Sequence, residues 1–160
     1  MIDYKGFIIG LCLWICTSHQ AWGGVNMPSF SLPTAVDGAV VTSEHYRGKA
    51  MLVTFFATWC PPCLQEIPTL KELHTKFYQQ DFAVVALSVD EGGAAVVARL
   101  VRQASINYPV LMADKRTAQD FGNIVALPTT FLVNKSGHVV KKYPGFVPRN
   151  LLEKDIESVL

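Results

Sequence analysis

The rhythm of apolar and polar positions changes from segment to segment, and each rhythm predicts an element. AMLVTFFA, residues 50–57, is almost continuously apolar. Its length and its Val, Phe and Thr content predict a strand buried on both faces. FAVVALSV, residues 82–89, repeats the pattern. Between them Leu64, Ile67, Leu70, Leu73 and Phe77 recur at three- and four-residue spacing, which predicts a helix over 62–79. Pro62 suits its first turn. Pro68 lies inside it, removes the hydrogen bond to the Leu64 carbonyl and predicts a kink.

Further along, Gly92-Gly93 introduces a second predicted helix over 94–104. Its run AAVVARLV is too short to span a membrane and reads as a packed helix. A short extended run surrounds Pro109, and Asp114 predicts the cap of a short helix ending near Gly122. Leu127-Pro128-Thr129-Thr130 introduces FLVN, a third strand. Asn134-Lys135-Ser136-Gly137 is a tight turn, and HVVKKY completes a hairpin. Tyr143 and Phe146, beside Gly145, read as core or turn residues. Leu151, Leu152, Ile156 and Val159 give a closing helix over 148–160 its apolar face.

Ahead of all this, Phe30 and Leu32 alternate with Ser and predict a short edge strand, and Asp37-Gly38 marks a turn before Val40 and Val41. The order is a βαβ half followed by a ββα half. That order predicts an α/β fold with a mixed sheet and helices on both faces, as one domain over 24–160.

Residues 1–23 have a different character. FIIGLCLWIC, residues 7–16, is apolar throughout, follows a short head containing Lys5, and precedes Ala21-Trp22-Gly23 with small residues at both ends. A charged start, apolar middle and small-residue site predict a signal peptide cut after Gly23, or an N-terminal membrane anchor through residues 7–22. Cys16 departs from a lipidation pattern because Ile15 is too large for the position beside it. Cys12 and Cys16 then read as small hydrophobes of an export segment. Export implies an oxidising, periplasmic or otherwise extracytoplasmic compartment, with Cys60 and Cys63 the two cysteines of the mature domain.

Composition narrows the classes. The chain has 160 residues, 14 Lys plus Arg, 13 Asp plus Glu, and a formal charge of +1. Nucleic-acid binding through a basic stripe is not expected. A half-apolar chain of this size can build a core without staples.

Cys60-Pro61-Pro62-Cys63 is therefore the chemical feature to explain. A bridge across so few residues removes little unfolded-state entropy, so a purely structural staple has little use. Zinc needs four ligands, and His19, His45, His74 and His138 offer no second ligand at useful spacing. The last two read as surface residues. Haem attachment needs His after the second cysteine, where Leu64 stands. No metal and no diffusible cofactor are expected. Redox chemistry fits the location, where a buried strand meets a helix amino end that favours negative charge. A thiolate at Cys60 is expected below the free value of about 8.5 and acts as nucleophile, with Cys63 one turn on as the resolving thiol. Trp59 can shield one side.

These residues make the sequence resemble the thioredoxin superfamily, in particular its exported TlpA/ResA-like thiol–disulfide oxidoreductases. The resemblance spans about residues 28–160 and rests on SFSLPTAVDGAVV, YRGKAMLVTFFATWCPPC, Glu66, Pro68, YPVLMAD and LPTTFLVNKSGHVV. It implies a thioredoxin fold with an N-terminal β extension and a central βα insertion. It implies a cis Pro128 against the disulfide, with the backbone of Leu127 and Pro128 pairing with the bound substrate chain, and supporting roles for Trp59, Pro61 and Pro62. Glu66 has two readings: a favourable acid in the first helical turn, or, by resemblance, a carboxylate that tunes cysteine ionisation. Thr54 stands where thioredoxins place a buried Asp, which shifts proton handling toward Glu66. The activity implied is reduction of disulfides in other exported proteins, apocytochrome c among them, by a monomer fed by a membrane electron donor. A thiol oxidant or isomerase, and a catalytically idle interaction module, are the alternatives. The Thr and Arg constellation of peroxide-reducing relatives is absent.

Overall fold

In the computed structural model, which describes residues 24–160, a six-stranded sheet forms the centre. Its strands are β1 (Val25–Asn26), β4 (Ala50–Phe56), β5 (Phe82–Ser88), β6 (Val110–Met112), β7 (Thr129–Val133) and β8 (His138–Pro144). Two further strands, β2 (Ser31–Pro33) and β3 (Val40–Thr42), form a separate hairpin. The order across the sheet is β1-β8-β7-β4-β5-β6. β4, β5 and β6 run parallel, while β7 and β8 run antiparallel beside β4. The predicted segment 1–23, including Cys12, Cys16 and His19, lies outside the described residues.

The sheet is mixed because two kinds of connection build it. Helix α1 (Pro61–Phe77) crosses from β4 to β5, and α2 (Ala94–Gln103) crosses from β5 to β6. Such crossovers return the chain parallel. Helix α3 (Lys115–Asp120) leads into β7, the turn at 134–137 reverses the chain into β8, and α4 (Arg149–Glu157) closes it. The β2–β3 hairpin is the expected N-terminal β extension, and β6 with α3 is the central βα insertion.

Side chains of the two central strands divide cleanly by face. Ala50, Leu52 and Phe56 of β4 join Leu70, Leu73 and Phe77 of α1, Val97 of α2, and Leu152 and Ile156 of α4. Met51, Val53 and Phe55 join Phe30, Leu32, Tyr46, Phe121 and Phe131 on the opposite face. The period of two along a pleated strand produces this division. It explains why both runs read as continuously apolar: neither face of β4 or β5 meets water.

Two expectations need correction. Leu64 is 37% exposed and Leu151 is 41% exposed, so neither belongs to the core its helical spacing suggested. On α1 Cys63 and Glu66 turn inward beside Ile67, Leu70, Leu73 and Phe77. His74 is not a surface residue. It is half-buried, and its Nδ1 accepts the Val84 N–H at 3.3 Å, a donor the shorter β6 does not reach. Pro68 lies inside α1, which continues to Phe77. Among the described residues, no helix is long and apolar enough to cross a membrane.

Candidate active site

Cys60 is the N-cap of α1, with an extended backbone at φ −100° and ψ 102°. Pro61 and Pro62 fill the first two helical positions and carry no N–H. The first amide the helix can offer is therefore that of Cys63. It donates to Cys60 Sγ at 3.3 Å, while the Cys60 carbonyl accepts from Leu64 N–H at 3.2 Å. The two prolines thus leave one amide for the sulfur, at the end of the helix whose dipole favours negative charge. Cys60 and Cys63 are both buried and joined as a disulfide, S–S 2.08 Å.

The turn before the disulfide is tied down from the segment just past β5. Cys60 N–H donates to the Ala57 carbonyl at 3.2 Å. Thr58 donates its N–H to Asp90 Oδ2 at 2.9 Å and its hydroxyl to Asp90 Oδ1 at 2.5 Å. Trp59 projects outward, 68% exposed.

On the other side stands the segment before β7. The Leu127–Pro128 peptide bond is cis, as the resemblance implied, and Pro128 is buried. The Pro128 carbonyl accepts from Gly145 N–H at 2.7 Å, which brings the loop after β8 against it. Thr54, Cys63, Glu66, Tyr108 and Pro128 line one small cavity of about 10 Å³. That is about the space one water requires. Thr54 lies inside the sheet, and its hydroxyl accepts from Thr130 Oγ1 at 2.9 Å.

Glu66 lies in the second turn of α1, so the first-turn reading fails. Its residue is 1% exposed. Burial pushes its carboxyl up to about 7, against the opposing pull of the Val147 N–H, which donates to Oε1 at 2.7 Å. A carboxyl near neutrality can hold or release a proton at working pH. Tyr108 is raised by burial first and by the Glu66 charge second.

The fold therefore brings together Trp59, Cys60, Pro61, Pro62, Cys63, Glu66, Leu127 and Pro128. Sequence reasoning missed Asp90, Tyr108 and Val147. Asp90 could have been found from its place just past a parallel strand, since open α/β sheets gather functional groups at strand carboxyl ends. Among the described residues, no group of three or more His, Cys, Asp or Glu side chains could hold a metal ion.

Comparison with known proteins gives the family and the fold. The redoxin family model matches residues 23–160. The thiol–disulfide oxidoreductase ResA of Bacillus subtilis strain 168 is 31% identical over 129 residues, covering 81% of this chain and 71% of that protein. ResA of Bacillus thuringiensis subsp. konkukian is 29% identical over 136 residues, covering 85% and 78%. A thiol:disulfide interchange protein of the thioredoxin family from Chlorobium tepidum superposes with TM-score 0.78 at 32% identity, covering 85% of this chain and 96% of that one. A second Chlorobium tepidum structure, described as a thiol:disulfide interchange protein DsbE, gives 0.79 at 27%, covering 86% and 96%.

Proposed function

The chain belongs to the redoxin family as a TlpA/ResA-like thiol–disulfide oxidoreductase of the thioredoxin superfamily, and from that premise we propose that it is exported and reduces disulfides in other exported proteins. The observation that carries the reading is the Cys60–Cys63 pair at the amino end of α1, beside the Pro128 segment and the buried Glu66.

In the reduced protein the Cys60 thiolate attacks one sulfur of the substrate disulfide. The Cys60–substrate bond forms as the substrate S–S bond breaks, and the leaving thiolate takes a proton. The Cys63 thiolate then attacks Cys60 Sγ, the intramolecular disulfide forms, and the second substrate thiol departs. Two electrons have passed from the dithiol to the substrate. Glu66 shares a cavity with Cys63 and is the group that takes the Cys63 proton in this scheme. Pro61 and Pro62 keep competing amides away from Cys60. The backbone at Leu127, beside Pro128, pairs with the substrate chain, and Trp59 covers its flank.

The domain division is part of the same reading: 1–23 as signal peptide or anchor, 24–160 as the working domain. Each turnover leaves the pair oxidised, so a protein acting outside the cytoplasm needs a membrane electron donor to restore it. Apocytochrome c is the leading substrate class. The test is to mix reduced protein with a disulfide-bonded exported protein, alkylate, and count the labelled cysteines of the substrate by mass. Wild type should give the substrate two thiols per disulfide reduced while losing its own two, and Cys60→Ser none. Substrate reduction by Cys60→Ser at the wild-type rate would overturn the reading.

A further inference from the structure

Resting on the exchange chemistry assigned to Cys60, we propose that Asp90 is a positioning residue whose carboxylate clamps Thr58 and so fixes the turn holding the Cys60 sulfur on the amino end of α1. β4 and β5 are parallel neighbours, so their carboxyl ends lie side by side. Val89 N–H donates to the Phe56 carbonyl at 3.0 Å and carries the pairing one step past the strands. Asp90 follows directly. Oδ2 accepts from Thr58 N–H at 2.9 Å and from Ser88 hydroxyl at 2.8 Å, and Oδ1 accepts from Thr58 hydroxyl at 2.5 Å. The Asp90 N–H donates to Ser88 Oγ at 3.1 Å, which orients the acid from behind.

Both carboxylate oxygens are thus occupied, and Thr58 is held at two atoms. Hydrogen bonds to an ionised acceptor are short and about twice as strong as neutral ones. Thr58 lies two residues before Cys60, and the turn between them closes through Cys60 N–H to the Ala57 carbonyl at 3.2 Å. The clamp therefore limits how far Cys60 Sγ can move from the Cys63 N–H, 3.3 Å away. Nothing else among the described hydrogen bonds holds Thr58.

Two opposed effects separate a clamp from a mere charge. Loosening the clamp takes the sulfur away from the helix amino end and disfavours the thiolate. Deleting a negative charge favours the thiolate. The sign of the change decides between them.

The experiment alkylates reduced wild type, Asp90→Ala and Asp90→Asn with iodoacetamide across pH and quantifies the Cys60 peptide by mass spectrometry. Asp90→Ala should move the midpoint up by about one pH unit and slow alkylation severalfold, at most about tenfold, at neutral pH. Asp90→Asn can accept Thr58 N–H and donate to the Thr58 hydroxyl, and should stay within about twofold of wild type. An unchanged or lowered midpoint in Asp90→Ala overturns the clamp, as does an Asp90→Asn as impaired as Asp90→Ala. If Asp90→Ala does not fold, Ser88→Ala serves: a smaller upward shift supports the clamp and no shift overturns it. The same proteins are assayed for reduction of a protein disulfide. A wild type that reduces nothing removes the exchange reading and the clamp together. An active wild type matched by Asp90→Ala in both assays removes the clamp alone.

Discussion

Val147, in the loop after β8, donates its backbone N–H to the carboxylate of Glu66 on α1 at 2.7 Å, across 81 positions of sequence. This bond leaves Glu66 buried with one oxygen partnered, beside Cys63 and Tyr108. A carboxyl so placed favours its neutral form.

The consequence for stability has a definite sign. The Glu66 carboxyl stands at about 7 when folded, raised from 4.5. Between those values the folded protein holds a proton that the unfolded chain has released. The Glu66 contribution to stability is therefore fullest below about 4.5, falls as pH rises toward 7, and levels off above. The shift corresponds to about 3 kcal/mol. Glu66→Gln keeps an acceptor for Val147 and should lose most of this slope in urea titrations at pH 5 and pH 8. A variant with the wild-type slope would place the titration elsewhere.

The order of attack at the two sulfurs is open to trapping. Cys63→Ser should accumulate a mixed disulfide through Cys60, because the attacking thiol remains and the resolving thiol is gone. Cys60→Ser should form no adduct. Mass spectrometry after incubation with an oxidised peptide distinguishes them, and an adduct through Cys63 in the Cys60→Ser protein would reverse the assigned roles.

Asp155 fixes α4 to β8. It is buried and accepts from Lys141 Nζ at 2.5 Å and Tyr143 hydroxyl at 2.6 Å. Burial alone would raise its carboxyl, but the two hydrogen bonds together hold it below the ordinary value. A depressed carboxyl contributes stability above its unfolded value near 3.9 and loses it as pH falls through the lower folded value. Asp155→Ala should cost about 2 kcal/mol at pH 7, and the deficit should shrink as the wild-type acid is protonated. An equal deficit in acid would mean that packing, not the ionised acceptor, carries the effect.

Packing on α1 can be tested with two leucines. Leu73 is 0% exposed and Leu64 is 37% exposed. Leu73→Ala should cost about 2–5 kcal/mol. Leu64→Ala should cost under about 1 kcal/mol. Similar losses at both positions in denaturant unfolding would contradict the inward face described for the helix.

Much of this was legible in the sequence, for physical reasons. β4 and β5 announce themselves because strands buried on both faces carry no polar alternation. Asp114 caps α3 as its spacing suggested, accepting from Thr117 N–H at 2.7 Å. The cysteines fall at a helix start, where the two prolines between them fit the first helical positions. The faces of helices were less legible. Leu64 and Leu151 have the spacing of core residues but are exposed, while Cys63, Glu66 and Asp155 turn inward with the remaining apolar positions, and polar side chains at buried places do not show in a hydrophobic pattern. Glu66 could be located but not its burial, because burial depends on Val147 and Tyr108, far away in the chain. Asp90 was missed for the same reason: its partner Thr58 is 32 positions earlier. The cis bond at Pro128 came from resemblance, since nothing local distinguishes it from a trans proline opening a strand.

The most direct test of the reductase claim is the midpoint potential of the Cys60/Cys63 pair, read by thiol trapping across a series of redox buffers. Such pairs range from about −270 mV in thioredoxin to about −120 mV in a strong oxidant such as DsbA. A value at or below about −230 mV is the predicted result, since the dithiol must give up electrons to its substrates. A value above about −150 mV would contradict the account and make the protein an oxidant.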